Sequence, residues 1–173
     1  TKKHLRDGTG GWKKKARACV CGNFEYGTYG GADENRAEVP ATYELRTLLT
    51  LAAANQWTIG SPDISTAFLN AELGNKDDAY VVQPPAAMVN AGVVKPGIFW
   101  KLKKVLYGLR SGPKDWGVHR DEKIDQFTME HDGKLYKVSK VPDAMCVWRV
   151  ESDKGEVVGV FMVYVDDVLA IGA

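Results

Sequence analysis

The chain has few cysteines and no long apolar run, and these two shortages exclude several classes of protein. The three cysteines are Cys19, Cys21 and Cys146. They are too few for the disulfide framework of a small secreted protein, and no Cys-x-x-Cys or Cys/His spacing predicts zinc. No apolar segment approaches about 20 residues and no signal peptide opens the chain, so we expect neither membrane insertion nor secretion. Reduced core thiols in an intracellular protein are the expectation.

Net charge is also nearly absent, because 23 basic side chains are balanced by 22 acidic ones. Their distribution is nevertheless uneven. The first 17 residues carry seven Lys and Arg against one acid, Asp7, and a second basic group surrounds Tyr107. Such patches favour a polyanionic partner such as nucleic acid. A solvated, charged terminus is the alternative for the first patch.

Length and composition predict one globular domain. The 173 residues are 45% apolar and 26% charged, and no repeat or low-complexity linker divides them. Strands and helices interleave without a regular βαβ period, which favours the α+β class. We therefore predict a flexible basic segment at residues 1–14, followed by a single domain at residues 15–173.

Hydrophobic periodicity and turn residues locate the individual elements. Helices are predicted from Tyr43 to Asn55 with Thr42 as N-cap, over residues 65–73, and from Gly112-Pro113 through Phe127. Strands are predicted over residues 15–24, 57–64, 80–83, 99–106, 145–150, 157–165 and 168–171. A hairpin turn is predicted at Ser152–Gly155 and a loop over residues 86–96.

Two adjacent carboxylates, Asp166 and Asp167, lie at the turn of an otherwise apolar hairpin. Neighbouring like charges repel each other and are costly to desolvate, so a divalent cation is the simplest partner. Mg²⁺ takes one or two carboxylates plus substrate phosphates, and Asp63, at the end of another apolar stretch, would add a third acid. A polar hairpin tip for the pair and a helix N-cap for Asp63 are the alternatives.

Seven motifs follow one another along nearly the whole chain in the order typical of one family. They are Lys15-Ala16-Arg17, Leu45-Arg46-Thr47-Leu48-Leu49, Asp63-Ile64-Ser65-Thr66-Ala67-Phe68-Leu69-Asn70, Tyr80-Val81-Val82-Gln83-Pro84-Pro85, Leu106-Tyr107-Gly108-Leu109-Arg110, Trp116 and Tyr164-Val165-Asp166-Asp167. In these motifs the chain resembles the copia-type (Pseudoviridae) retrotransposon reverse transcriptases, which are domains of a Gag-Pol polyprotein. The resemblance implies an RNA-directed DNA polymerase with the fingers and palm of a right-hand polymerase, the palm being ferredoxin-like.

The resemblance also implies two-metal nucleotidyl transfer from a deoxynucleoside triphosphate to a primer 3′-hydroxyl. Its catalytic residues carry over onto Asp63, Asp166 and Asp167. Asp63 and Asp166 would bridge two Mg²⁺ ions, with Mn²⁺ as a substitute. The Ile64 carbonyl would be a further ligand, and Asp167 would support the pair.

A nucleotide and template pocket is implied in the same way. Phe68 would pack against the incoming sugar and exclude a 2′-hydroxyl, and either Lys15 or Arg17 would contact the triphosphate. Ser111 belongs to the nucleotide-binding set, at a position where the family usually has Gln. The residues that would line the template and primer are Tyr107, Gly108 and Arg110. On periodicity alone, Phe68 is the apolar face of a short helix, and Tyr107 could be a core aromatic.

Three departures from the family pattern favour an alternative function. Ser111 replaces Gln, Pro62 stands inside an expected central strand, and Asn70-Ala71 replaces Asn-Gly. A catalytically inactive, nucleic-acid-binding remnant of a decayed retrotransposon is therefore the alternative. A nucleotidyl cyclase that shares the palm is a third interpretation, but the chain lacks the signature of that class.

The implied partners are an RNA or DNA template with primer, deoxynucleoside triphosphates and the rest of the Pol polyprotein, including its thumb and ribonuclease H. DNA integration is the associated process, and the implied location is a cytoplasmic virus-like particle, with the nucleus as a second compartment. No membrane partner is implied. Ala173 lies six residues after Asp167. We therefore expect the polymerase fold to be truncated before the thumb, with one covering helix absent and part of the sheet bare.

Overall fold

A computed structural model describes residues 2–6, 12–24, 36, 38–74 and 80–173. Its strands are β1 (Lys2–Arg6), β2 (Trp12–Ala16), β3 (Thr58–Gly60), β4 (Val81–Val82), β5 (Trp100–Lys101), β6 (Thr128–His131), β7 (Lys134–Lys140), β8 (Val147–Glu151), β9 (Val157–Tyr164) and β10 (Asp167–Gly172). Its helices are α1 (Thr42–Asn55), α2 (Ala67–Asn70), α3 (Ala86–Asn90) and α4 (Gly112–Asp125), with a 3-10 turn at Gly22–Phe24. Among the described residues, no helix combines the length and apolarity needed to cross a bilayer.

A six-stranded antiparallel sheet forms the centre of the fold. Its strand order is β3-β10-β9-β8-β7-β6, so β6 to β10 form a meander of consecutive hairpins, and β3 is added beside β10. Two further pairs, β1-β2 and β4-β5, lie outside this sheet. The combination of helices with an antiparallel sheet confirms the α+β class.

Both faces of the sheet carry a helix, because apolar residues alternate along its strands. In β9, Met162 packs in one cluster with Leu48 of α1, whereas its neighbour Val163 packs in another with Ile124 of α4. Successive strand residues point to opposite faces, so α1 and α4 lie on opposite faces of the sheet. Each face of this sheet therefore carries one helix, whereas Ile59 in the edge strand β3 is 51% exposed, and the absence of a further covering helix stays a prediction.

A third apolar cluster lies between α2, the first turns of α4 and the segment that leads into α4. Its buried members are Ala67, Ala71, Leu73, Val105, Leu109 and Trp116. The partly buried residues Ile64, Phe68 and Val165 pack against them. Val165 belongs to the turn between β9 and β10, so this cluster supports the tip of that hairpin.

A buried polar network joins α4 to the sheet and to the segment before α1. Arg120, 3% exposed, donates to Asp121 Oδ1 at 2.7 Å and to Cys146 Sγ at 3.6 Å, and its guanidinium lies over the Trp148 ring. The Cys146 thiol in turn donates to the Glu38 carbonyl at 3.2 Å. Burial raises the pKa of Cys146, so the thiol keeps the proton that this bond uses. All three cysteines are free, but the expectation of core thiols is correct only for Cys146, because Cys19 and Cys21 are exposed.

The prediction of α1 is confirmed, with a difference at its first turn. The Glu44 carboxylate accepts the Ala41 N–H at 2.6 Å, which makes Ala41 the N-cap and Thr42 the first helical residue. The hairpin turn at Ser152–Gly155 is confirmed as well, since it joins β8 to β9.

Several predicted elements are shorter than expected. The strand expected over residues 57–64 is regular only in β3, because Pro62 has no N–H to donate and interrupts the ladder. The strand expected over residues 15–24 is wrong for most of its length, since β2 begins at Trp12 and shares only Lys15 and Ala16 with it, and the helix expected through Phe127 ends at Asp125. The elements expected over residues 65–73, 80–83 and 99–106 are reduced to α2, β4 and β5.

The sequence patterns above do not predict the β6–β7 hairpin or α3. Asp132 and Gly133, with φ of 50° and 69°, form the two-residue turn of this hairpin, and Asp-Gly is the signal that identifies it. α3 replaces part of the loop expected over residues 86–96. β1 and β2 pair with each other across the boundary proposed at residue 14, although the division into two segments stays a prediction.

Residues 17–22, hereafter the strap, run beside the loop that precedes α4. The Val20 N–H donates to the Tyr107 carbonyl at 2.7 Å. Gly108 has a left-handed backbone with φ of 96°, and a Cβ there would overlap the Val20 carbonyl oxygen. A Cβ at Gly22 would likewise overlap the Gly108 carbonyl oxygen. Both glycines are therefore required for the close approach of two backbones.

We predict that Gly108→Ala destabilises the chain more than Gly97→Ala. Gly97 has a similar left-handed φ of 79°, but a Cβ added there would meet no atom within 4 Å, so its substitution carries only a backbone cost of about 1–2 kcal/mol. Gly108→Ala also displaces the strap, and we expect it to lower the free energy of unfolding by about 3 kcal/mol in total. Urea unfolding followed by tryptophan fluorescence measures both values. Equal losses would contradict the contact between strap and loop.

Candidate active site

The three predicted catalytic acids lie along one line of antiparallel pairing. β3 pairs with β10 so that Gly60 is opposite Ala170, and an isolated bridge places Asp63 opposite Asp167. Moving three residues forward along one segment moves three residues back along the other, so both pairs belong to one register. The register of β3 therefore continues past Pro62 to the tip of the β9–β10 hairpin.

Backbone hydrogen bonds on either side of the bridge define its type. The Val168 N–H donates to the Pro62 carbonyl at 3.0 Å, and the Ile64 N–H donates to the Asp166 carbonyl at 2.7 Å. The pair between them, Asp63 and Asp167, is consequently a non-hydrogen-bonded pair. In such pairs the Cα atoms lie about 4.5 Å apart and the two side chains share one face of the sheet. The backbone thus brings all three acids to one end of the sheet.

This arrangement concentrates negative charge without a protein cation to balance it. None of the three carboxylates forms an ion pair within the part of the chain that the structure describes. Like charges directly opposite each other destabilise a sheet, and a divalent cation held by hard oxygen atoms would remove the repulsion. The donor chemistry therefore fits Mg²⁺ or Mn²⁺. Over the described ranges, however, no three Asp, Glu, His or Cys side chains are already grouped to hold a metal ion.

The turn that carries Asp166 has a strained backbone. Val165 and Asp166 are its central residues, between the paired Tyr164 and Asp167. Of the two central residues only Val165 has a positive φ, 56°, which is the signature of a type II′ turn. A β-branched residue in this conformation costs about 1–3 kcal/mol, so the surrounding structure must hold it there.

α4 supplies one of the contacts that hold this turn. Trp116, 4% exposed, donates its indole N–H to the Val165 carbonyl at 2.8 Å. Trp116 belongs to the motifs that carry the family resemblance, yet the sequence assigns it no role. The two partners lie 49 residues apart, and no local pattern identifies a contact over that separation.

A second group of predicted residues meets at Phe68, which packs against the apolar cluster that contains Val165. The rings of Phe68 and Tyr107 pack edge to face, with their centroids 5.3 Å apart. The guanidinium of Arg17, from the strap, lies 4.6 Å from the centroid of the Tyr107 ring. Phe68 is half-buried, so it contributes to this cluster and also keeps an accessible surface.

The remaining predicted residues differ in their accessibility. Arg110 is exposed just before α4, and Gly108 contacts the strap. Ser111 is 9% exposed, and its hydroxyl is buried with no hydrogen-bond partner in the described ranges. Lys15 belongs to β2, but its side chain lies outside what the structure describes.

Comparisons with known proteins agree with the motifs. The family model for reverse transcriptase (RNA-dependent DNA polymerase) matches residues 2–173. The chain is 32% identical over 158 residues, 91% of its length, to the Retrovirus-related Pol polyprotein from transposon TNT 1-94 of Nicotiana tabacum, and 30% identical over 174 residues, 99% of its length, to that from transposon RE1 of Arabidopsis thaliana. It is also 34% identical over 113 residues, 64% of its length, to the Transposon Ty1-DR4 Gag-Pol polyprotein of Saccharomyces cerevisiae.

These matches cover 11%, 10% and 6% of the respective polyproteins, so the chain spans about a tenth or less of the length of these relatives. No solved structure matches the chain significantly. The family match covers nearly every residue and includes all seven motifs. The chain therefore belongs to the reverse transcriptase (RNA-dependent DNA polymerase) family of copia-type transposon Pol polyproteins.

Proposed function

We propose that this chain forms the palm and part of the fingers of a reverse transcriptase, and that it catalyses nucleotidyl transfer from a deoxynucleoside triphosphate to a primer 3′-hydroxyl. The observation that carries the proposal is the bridge between Asp63 and Asp167, with Asp166 adjacent in the turn. An end of a sheet where carboxylates face one another is suited to a reaction between two phosphate-bearing substrates. Membership of the family supports the same chemistry.

Three carboxylates and one carbonyl would hold the metal ions. Asp63 and Asp166 would supply carboxylate ligands and Ile64 its carbonyl oxygen, while Asp167, paired with Asp63, would support them. When bound, two Mg²⁺ ions, or Mn²⁺, would activate the primer hydroxyl and neutralise the triphosphate. The short bond from the Ile64 N–H to the Asp166 carbonyl supports this assignment, because it ties the segment that bears Asp63 to the turn that bears Asp166.

The array of Phe68, Tyr107 and Arg17 would form the nucleotide side of the site. Phe68 would lie against the sugar and leave no room for a 2′-hydroxyl. Arg17 is the better candidate than Lys15 for the triphosphate, since stacking on Tyr107 orients its planar guanidinium before substrate arrives. A preoriented cation loses less conformational entropy when it binds phosphate.

The loop before α4 would face the template and primer. Tyr107, Gly108 and Arg110 would line it, with Gly108 allowing close backbone approach. Ser111 would act from the start of α4, behind this loop, because its hydroxyl is enclosed by protein. The partners would be an RNA or DNA template with primer, deoxynucleoside triphosphates and further domains of the Pol polyprotein, in an intracellular particle.

An inactive nucleic-acid-binding remnant is the second candidate, and Pro62 is the observation that favours it. The hydrogen-bonded pair of Pro62 and Val168 makes one bond where two are usual, next to the catalytic bridge. A loosened bridge would separate the acids while leaving basic side chains such as Arg110 able to meet phosphate. Primer extension separates the two candidates, because only the first predicts metal-dependent synthesis.

We predict that Asp166→Asn abolishes metal-dependent primer extension in a polyprotein-length enzyme. Removing one carboxylate weakens metal binding and charge neutralisation, and we expect a loss of about a hundredfold or more in kcat. Asp153→Asn, in the exposed turn between β8 and β9, is the matched control and should leave kcat unchanged. Single-nucleotide extension at several Mg²⁺ and Mn²⁺ concentrations measures both. Full activity of the Asp166→Asn enzyme would rule out the proposed site.

We predict that Phe68→Val relaxes the selection of sugar. A smaller side chain leaves space for the 2′-hydroxyl, so kcat/KM for ribonucleotides should rise at least about tenfold relative to that for deoxynucleotides, which corresponds to about 1.4 kcal/mol. Phe99→Val is the control, because Phe99 is 61% exposed and belongs to none of the three apolar clusters. If Phe68→Val reduces the use of both nucleotides equally, Phe68 is a core residue only.

A further inference from the structure

The turn at Val165 and Asp166 is held from two directions. The carbonyl of Asp166 accepts the Ile64 N–H at 2.7 Å, and the carbonyl of Val165 accepts the Trp116 indole N–H at 2.8 Å. The second bond comes from helix α4 and not from a strand, so it is not part of the sheet ladder. The two residues that join β9 to β10 are thus bonded to separate elements of the fold.

We propose that Trp116 is a positioning residue that sets the orientation of the peptide between Val165 and Asp166. The proposal rests on the function proposed above, in which Asp166 is a catalytic residue. Because Asp166 begins at the nitrogen of this peptide, rotating the peptide changes the backbone from which its carboxylate projects. Trp116 would act on Asp166 through the backbone and would not touch substrate.

The conformation of the turn explains why such a contact is needed. A two-residue hairpin turn has two common forms, II′ with positive φ at the first central residue and I′ with positive φ at both. They differ by a flip of the central peptide, which reverses the direction of the Val165 carbonyl. An indole N–H aimed at that carbonyl favours the observed II′ form. In the flipped form Asp166 would take the positive φ, and the buried indole would lose its acceptor.

Trp116 is suited to this role because its own position is fixed. It is 4% exposed and lies in the apolar cluster with Ala67, Val105 and Leu109. Val165 packs against the same cluster, so its side chain and its carbonyl are both held by this region. A hydrogen-bond donor on a packed helix cannot move to follow a flipped peptide, so it resists the flip. A water molecule in its place could move with the peptide and would not resist the flip.

Trp148 provides a matched control within the same chain. It is also buried, at 0% exposure, and stacks on Phe161 with centroids 5.6 Å apart. Its indole nitrogen has no hydrogen-bond partner in the described ranges. Replacing either tryptophan by Phe removes similar buried volume, but only Trp116→Phe removes a hydrogen bond to the turn.

The sequence permits a direct observation of this peptide. Val-Asp occurs once in the chain, at Val165-Asp166. Labelling the full 173-residue chain with carbonyl-¹³C valine and ¹⁵N aspartate therefore gives a single correlated carbonyl and amide signal. We expect Trp116→Phe to shift this signal and Trp148→Phe to leave it in place. An unchanged signal in folded Trp116→Phe would overturn the proposal. If that variant does not fold, benzothienylalanine at position 116, which replaces the N–H by sulfur, gives the same test.

Kinetics in a polyprotein-length enzyme test the consequence for Asp166. Trp116→Phe should lower kcat about tenfold, as expected for one lost hydrogen bond, and raise the Mg²⁺ concentration at half-maximal rate. The KM for the nucleotide and the affinity for the primer-template should stay within about twofold, because nothing that contacts them changes. Trp148→Phe should lower the melting temperature without this pattern. If both variants lose only stability, Trp116 is structural and the proposal is wrong.

The labelling experiment and the kinetic experiment together separate this proposal from the function on which it rests. An unsubstituted enzyme that extends no primer refutes the proposed function. In that case the role of Trp116 is tested by adding Mn²⁺ alone to the labelled chain. Mn²⁺ broadens the NMR signals of nuclei that lie close to its binding site. Weaker broadening of the Val165-Asp166 signal in Trp116→Phe than in Trp148→Phe would support a positioning role. Equal broadening would overturn it.

Discussion

The structure depends on one antiparallel register that runs from Gly60 and Ala170 to Asp63 and Asp167. Side chains alternate between the faces of a sheet with a period of two, so a slip of one residue would move Asp63 to the face opposite Asp167. Pro62 removes one hydrogen bond from this line, but its carbonyl still accepts the Val168 N–H and keeps the register. The register of pairing is therefore kept beside Pro62 even though one hydrogen bond of the ladder is missing.

The fold compensates elsewhere for the unfavourable features that it collects at the hairpin tip. Opposed carboxylates and a left-handed Val165 both raise the energy of the native state. The meander of β6 to β10 and the two helices on opposite faces bury enough apolar surface to hold the tip in place. Strain and concentrated charge are common at functional sites, where surrounding packing maintains a geometry that isolated residues would leave.

The sequence predicts those parts of the fold that depend on near neighbours. The apolar periodicity of α1, the turn at Ser152–Gly155 and the carboxylates in the turn of the last hairpin all come from residues within a few positions of one another. Contacts between distant segments have no such pattern. The bond from Trp116 to Val165 and the stacking of Arg17 on Tyr107 require the complete fold, so motif resemblance indicates these residues without indicating their partners. The Asp132-Gly133 turn is different, because Asp-Gly is a local turn signal that does not depend on distant contacts.

The joint between the strap and the loop before α4 constrains how this sequence can diverge. It consists of backbone atoms, the Val20 N–H and the carbonyls of Tyr107 and Gly108, together with two glycines that have no side chain to lose. Neighbouring side chains such as Cys19 and Cys21 are exposed and can vary. A larger residue at Gly22 could not be compensated by a smaller residue at Gly108, because no residue is smaller than glycine. This joint therefore cannot diverge through compensating pairs of substitutions, which is how packed positions usually change.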